Sequence, residues 1–156
     1  MCLYTKESLF STATEDITCY KILTVDSGGK FETPYQHTPV DNDVILGEKP
    51  FDAKGFPSIY EQWNVCSFFS AREFKYFVTS GMIHTYVSKP WVFPNTCLFE
   101  CIIPKGTRFT FGIDSCGDYC FASEKFVFKK QISGEGRFKR NLENFFKTIL
   151  KPNKNV

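Results

Sequence analysis

The chain has 156 residues, a formal net charge of +2, 42% hydrophobic and 23% charged residues, a balance that excludes a disordered or collagen-like chain and fits one domain over residues 1–156. No run of about 18 apolar residues occurs, so no helical membrane span is expected. Residues 1–16 form a polar arm without the basic-then-apolar order of a secretory signal, and the expected location is cytoplasmic. Aromatic residues reach 17%, with 18 Phe, which favours sheet, where rings pack on a pleated surface.

Ile17–Val25 is the first strand, and Asp26-Ser27-Gly28-Gly29 is a hairpin turn leading to a partner over Lys30–Tyr35. Residues 36–57 carry Pro39, Gly47, Pro50, Gly55 and Pro57 with no sustained period, a loop of the kind that borders sites. Ser58-Ile59-Tyr60-Glu61 and Ser70-Ala71-Arg72-Glu73 both have capping-box form, so a short helix is predicted from the first. A longer helix is predicted from the second, with Ala71, Phe74, Phe77 and Val78 on one face and Gly81 at its end.

Met82–Val87 reads as a strand with Met82, His84 and Tyr86 on one side. Cys97–Lys130 reads as three strands, Cys97–Ile103, Thr107–Ile113 and Ala122–Phe128, broken at Pro104-Lys105-Gly106-Thr107 and at residues 114–118. Arg137–Leu150 carries an apolar stripe of Phe138, Leu142, Phe145, Phe146, Ile149 and Leu150 at helical spacing, ended by Pro152. The expected fold is therefore α+β: a compact, mostly antiparallel sheet with two or three helices, and a C-terminal basic amphipathic helix over 137–151 packed on it.

The charge is unevenly placed. Residues 137–156 hold six basic side chains against Glu143 alone, whereas the preceding chain has thirteen basic and sixteen acidic ones. A basic amphipathic helix can meet an acidic protein partner, nucleic acid or an anionic membrane surface, but no nucleic-acid-binding motif accompanies it, so nucleic acid is not the expected partner. Seven cysteines without an export signal read as reduced thiols. Cys97-x3-Cys101 and Cys116-x3-Cys120 lack the two-residue spacers of structural zinc sites, so no metal is implied. No phosphate loop, nucleophile elbow or zinc-protease motif occurs, and no cofactor is implied.

Two charges interrupt apolar faces. Lys21 lies among Ile17, Cys19, Leu23 and Val25, and Glu124 among Ala122, Phe126 and Phe128. A charge on a core face must be paired, neutralised or opened to a cleft. Lys21 and Glu124 could satisfy each other as an internal ion pair, or both could line a pocket with His84 and Tyr86. The pocket reading gives Lys21, His84, Tyr86 and Glu124 as ligand-binding residues for a phosphate-bearing, aromatic ligand.

The ordered set Cys19-Tyr20-Lys21, Thr33-Pro34-Tyr35-Gln36, Gly81-Met82-Ile83-His84-Thr85-Tyr86, Cys101-Ile102-Ile103-Pro104-Lys105-Gly106-Thr107 and Ala122-Ser123-Glu124-Lys125 resembles small uncharacterised proteins of gut Bacteroidetes and their phages. That resemblance implies an accessory role such as interference with host defence or signalling. A weaker similarity is to the ADP-ribosyltransferase fold, through the order Lys21, then Thr85 or Tyr86, then Ser123-Glu124. It implies an enzyme acting on NAD with Glu124 as the catalytic carboxylate. The leading expectation is a non-enzymatic binding module for a small anionic or nucleotide-like ligand or a host protein. The alternatives are that NAD-dependent enzyme and a protein-interaction module using the basic C-terminal helix.

Overall fold

The computed structural model describes residues 3–5, 9–55, 57–61, 77–92 and 94–133, and the fold is built from these. Its centre is β3 (Ile17–Val25), which pairs antiparallel with β9 (Thr96–Ile103) from Ile17↔Ile103 to Thr24↔Thr96. Opposed residues of an antiparallel pair point to the same face. Cys19, Lys21 and Leu23 therefore share a face with Cys101, Phe99 and Cys97. All of these except Lys21 are sealed from solvent.

The other strands are β1 (Leu3–Thr5), β2 (Ser11–Thr12), β4 (Phe31–Glu32), β5 (Phe51–Asp52), β6 (Ser58–Glu61), β7 (Phe77–Ser80), β8 (Ile83–Tyr86), β10 (Arg108–Asp114), β11 (Tyr119–Ser123) and β12 (Lys125–Ser133). They join one antiparallel sheet in the order β5-β12-β9-β3-β8-β11-β10-β1-β7-β6, with β2 beside β10 and β4 beside β3. β11 and β12 stand four places apart in that order, about 19 Å in a flat sheet at the usual strand spacing. Only Glu124 joins them, and one residue spans about 7 Å at most. The sheet must therefore roll over, and it forms a curled half-barrel.

In the main core, Phe99, Phe126 and Phe128 pack edge to face with ring centroids 5.0–5.2 Å apart. Phe31 and Phe51 lean on this group from outside the central strands. Edge-to-face contacts of this kind let several rings fill a core without voids. The hairpin predicted at Asp26 forms as expected. The Asp26 carboxylate accepts the Gly28 and Lys30 amides, and β4 pairs back on β3 through Val25↔Phe31.

The structure corrects the expected α+β class: the described chain is mostly β, and its one helix is α1 (Asn42–Ile45), four residues long. Ser58–Glu61 is strand, not a capped helix, because it pairs with β7 from Ser58↔Ser80 to Glu61↔Phe77 and the Ser58 hydroxyl bonds that of Ser80 at 2.7 Å. Phe77–Ser80, expected to finish a helix, belongs to the same hairpin. The predicted Ala122–Phe128 strand is two strands that part at Glu124. The supposed polar arm supplies β1 and β2, and Leu3 is fully buried. The bulk of the Ser70–Gly81 helix and the whole of the Arg137–Leu150 helix fall outside the described residues. Among the described residues no helix is long and apolar enough to cross a membrane.

β1 docks on β10 through Leu3↔Asp114, Tyr4↔Ile113 and Thr5↔Gly112, and the two backbones meet closely at Gly112. A Cβ added there would lie 2.1 Å from the Tyr4 carbonyl oxygen. Gly112→Ala is accordingly expected to lose about 2–4 kcal/mol of stability by forcing β1 off the sheet, read as a lower midpoint in denaturant unfolding.

Candidate functional site

β3 and β8 are sheet neighbours, yet among the described residues they share a single register pair, Tyr20↔Tyr86. Continued antiparallel pairing would set Lys21 opposite Thr85 and Ile22 opposite His84, but the strands diverge there. β3 stays with β9 and β8 stays with β11, through Cys120↔Tyr86, Phe121↔Thr85 and Ala122↔His84. The Lys21 side chain enters the breach, and its Nζ donates to the His84 carbonyl at 2.7 Å. An ammonium thus occupies a carbonyl that a continuous ladder would have given to a backbone amide.

A cavity of about 510 Å³ opens at this parting. Its walls include Lys21 and Ile22 from β3, Ile83–Tyr86 from β8, Thr33–Gln36 beyond the first hairpin, and residues 51–55 around β5. The β7–β8 turn closes it: Gly81 takes φ +71°, and a Cβ on Gly55 would sit 3.1 Å from the Gly81 Cα, so two distant segments touch there by main chain alone. The volume lies within the range of small-molecule sites, about 300–1,000 Å³.

The lining is aromatic and apolar with a few polar points. Tyr35, Phe51, Met82 and Tyr86 supply the first kind, and Lys21, His84, Thr79 and Thr85 the second. The Thr79 hydroxyl oxygen is buried with no hydrogen-bond partner among the described residues, while the buried Thr85 hydroxyl lies against the Cys19 thiol. Lys21 has no carboxylate within ion-pairing distance among them either; the ion pairs join other residues, such as Lys49 to Asp43 and Lys129 and Lys130 to Glu100.

Burial shapes the titration of several groups around Lys21. The lysine itself is pushed down to about 8 by desolvation. Desolvation, helped by the neighbouring Lys21 charge, pushes His84 down to about 4, so its imidazole is neutral at physiological pH. Desolvation raises the Tyr86 phenol, which stays protonated as a donor. It also raises the thiols of Cys19, Cys101 and Cys120, with Cys19 reaching about 11. These cysteines are buried packing groups rather than reactive thiolates. Cys97 and Cys101 lie on one face of β9 in the core, whereas Cys116 is exposed in a turn. Among the described residues no cluster of three His, Cys, Asp or Glu is arranged to hold a metal.

Lys21, His84 and Tyr86 thus line one cavity, and Glu124 does not. The bend between β11 and β12 turns Glu124 toward Arg108, whose Nε donates to its Oε1. The Arg108 guanidinium also lies 6.0 Å from the Phe10 ring centre. Lys21 and Glu124 do not pair with each other. Tyr35 and Thr79 are not marked as site residues by the sequence, and Thr85 enters only through the weaker resemblance to the ADP-ribosyltransferase fold. Tyr35 stands beside Pro34 in a turn, a signal that points to it, but nothing local marks Thr79.

Comparison of the chain with family models, with curated proteins and with solved structures finds no match. The resemblances to phage-borne Bacteroidetes proteins and to ADP-ribosyltransferases gain no support from them.

His84 makes acid sensitivity predictable. Its folded pKa lies below its unfolded value, so the unfolded chain takes up the proton first. The stability it contributes is complete above about pH 6.5 and is lost as the pH falls to about 4, by about 2–3 kcal/mol. In His84→Asn this part of the acid-unfolding profile should flatten. Glu124→Gln should alter stability by less than about 1 kcal/mol, as expected of a solvent-exposed pair, in the same unfolding measurement.

Proposed function

We propose that the protein is a small-ligand binding module whose cavity takes an anionic, aromatic or nucleotide-like molecule. The observation that carries this reading is the Lys21 ammonium, set on the wall of a 510 Å³ cavity with a carbonyl for a partner and no carboxylate in range among the described residues. A positive charge taken from water without a counter-ion costs several kcal/mol, and an anionic ligand offsets that cost by supplying the missing charge. Tyr35, Tyr86 and Phe51 offer faces and edges for a planar ring, and the Thr79 hydroxyl, without a partner among the described residues, offers a polar contact.

Glu124 lies outside the cavity, so nothing in the geometry favours NAD chemistry through that carboxylate. A role in blocking a host signal or defence fits a module that sequesters such a ligand, and it rests on the same cavity.

Titration calorimetry against nucleoside monophosphates, with the matching nucleosides as uncharged comparators, tests the reading. A monophosphate should bind at least about tenfold more tightly than its nucleoside, and Lys21→Met should remove that difference. Affinity should fall as the pH rises through about 8, where the free lysine loses its proton. Equal binding by Lys21→Met and the native protein, with both folded, would overturn the assignment.

A further inference from the structure

We infer that Lys21 is an imine-forming lysine and that the cavity's ligand carries an aldehyde or ketone beside its anionic group. This rests on the reading of the cavity as a ligand site and names the class of ligand more closely. The argument starts from how the amine is held. A lysine kept for structure is normally locked in the protonated form by a carboxylate, which leaves no lone pair for attack. Lys21 is held by a neutral carbonyl at 2.7 Å instead. A neutral amine can still donate one N–H to that oxygen, so the nitrogen keeps its place after losing its proton. Release of that proton is made easy by burial, which brings both protonation states within reach near neutral pH.

Other described lysines lack this setting. Lys30, Lys54, Lys89 and Lys105 are exposed, Lys49, Lys129 and Lys130 face carboxylates, and the half-buried Lys125 lies outside the cavity lining. Lys54 also touches the cavity, but with its side chain open to solvent it offers charge rather than a desolvated nucleophile.

The step balances without any oxidant or reductant. The Nζ lone pair attacks the carbonyl carbon, and the carbonyl oxygen takes a proton, with the half-buried Tyr86 phenol and His84 imidazole of the cavity lining as candidates for moving it. The resulting carbinolamine loses its hydroxyl as water while nitrogen loses its second proton, leaving a C=N bond. Protonation of that imine restores a positive charge at the position of the original ammonium. The anionic group of the ligand then stays neutralised in the covalent complex as in the encounter complex.

The test uses pyridoxal 5′-phosphate, an aromatic aldehyde bearing a phosphate, with cyanoborohydride to fix any imine, followed by peptide mapping of the native protein. Lys21 should be modified at least about tenfold faster than Lys54 or Lys105, with a rate that climbs as the pH approaches about 8. Lys21→Arg should lose that adduct, and the native protein should bind the corresponding alcohol, pyridoxine 5′-phosphate, which cannot form an imine. If the native protein binds the alcohol but its Lys21 is modified no faster than exposed lysines, the imine inference fails and the cavity reading stands. If neither pyridoxine 5′-phosphate nor any nucleoside monophosphate binds and Lys21 is not preferentially modified, both fail.

Discussion

One residue sets the shape of this protein. Ser123 ends a strand paired to β8 and β10, Lys125 begins a strand paired to β5 and β9, and Glu124 alone spans the change. The link is too short for a flat sheet, so the intervening strands must roll until their ends meet. Hydrogen bonds hold the corner: the Glu124 amide donates to the Arg108 carbonyl, the Ala53 amide donates to the Glu124 carbonyl, and the Ser123 hydroxyl donates to the Lys125 carbonyl. The roll in turn makes a concave face on which the phenylalanines can close a core.

A rolled sheet bends most where its ladders are weakest, and β3 and β8 share the fewest pairs of the central neighbours. Where they part, the Lys21 ammonium takes the His84 carbonyl, and the remaining space is the cavity. The chemistry of the site and the curvature of the fold are therefore one problem. The lysine is misplaced for a core and well placed for a breach, while its neighbours Cys19 and Leu23 remain fully buried.

What could be read from the sequence was local. β3 and its turn were legible because alternation and an Asp-Ser-Gly-Gly turn both act within a dozen residues. Lys21, His84 and Tyr86 stood out because each is polar on a face otherwise suited to burial. The errors came from partners far along the chain. Ser58-Ile59-Tyr60-Glu61 carries a helix-start pattern, but its Ser58 finds Ser80 rather than a helix amide, and the pairing strand lies some twenty residues away. Glu124 looked core-facing because Ala122, Phe126 and Phe128 alternate around it, and each of those is indeed buried. The bend between them preserves the spacing and redirects the acid to Arg108, which no periodicity reveals. Leu3 shows the same limit from the other side: too few apolar neighbours for a pattern, yet a fully buried place against Gly112.

The contact between Gly55 and Gly81 has a consequence for how such a site can change. At that point the wall consists of two backbones with no side chain to trim, so a larger molecule cannot be admitted there by substituting a smaller residue. Room for different ligands has to come from Tyr35, Met82 and Tyr86, whose side chains are adjustable, while the glycine contact acts as a fixed jaw. In the proposed binding role, selectivity by size would be divided between a wall that mutation can reshape and one that only a shift of the β7–β8 hairpin can move.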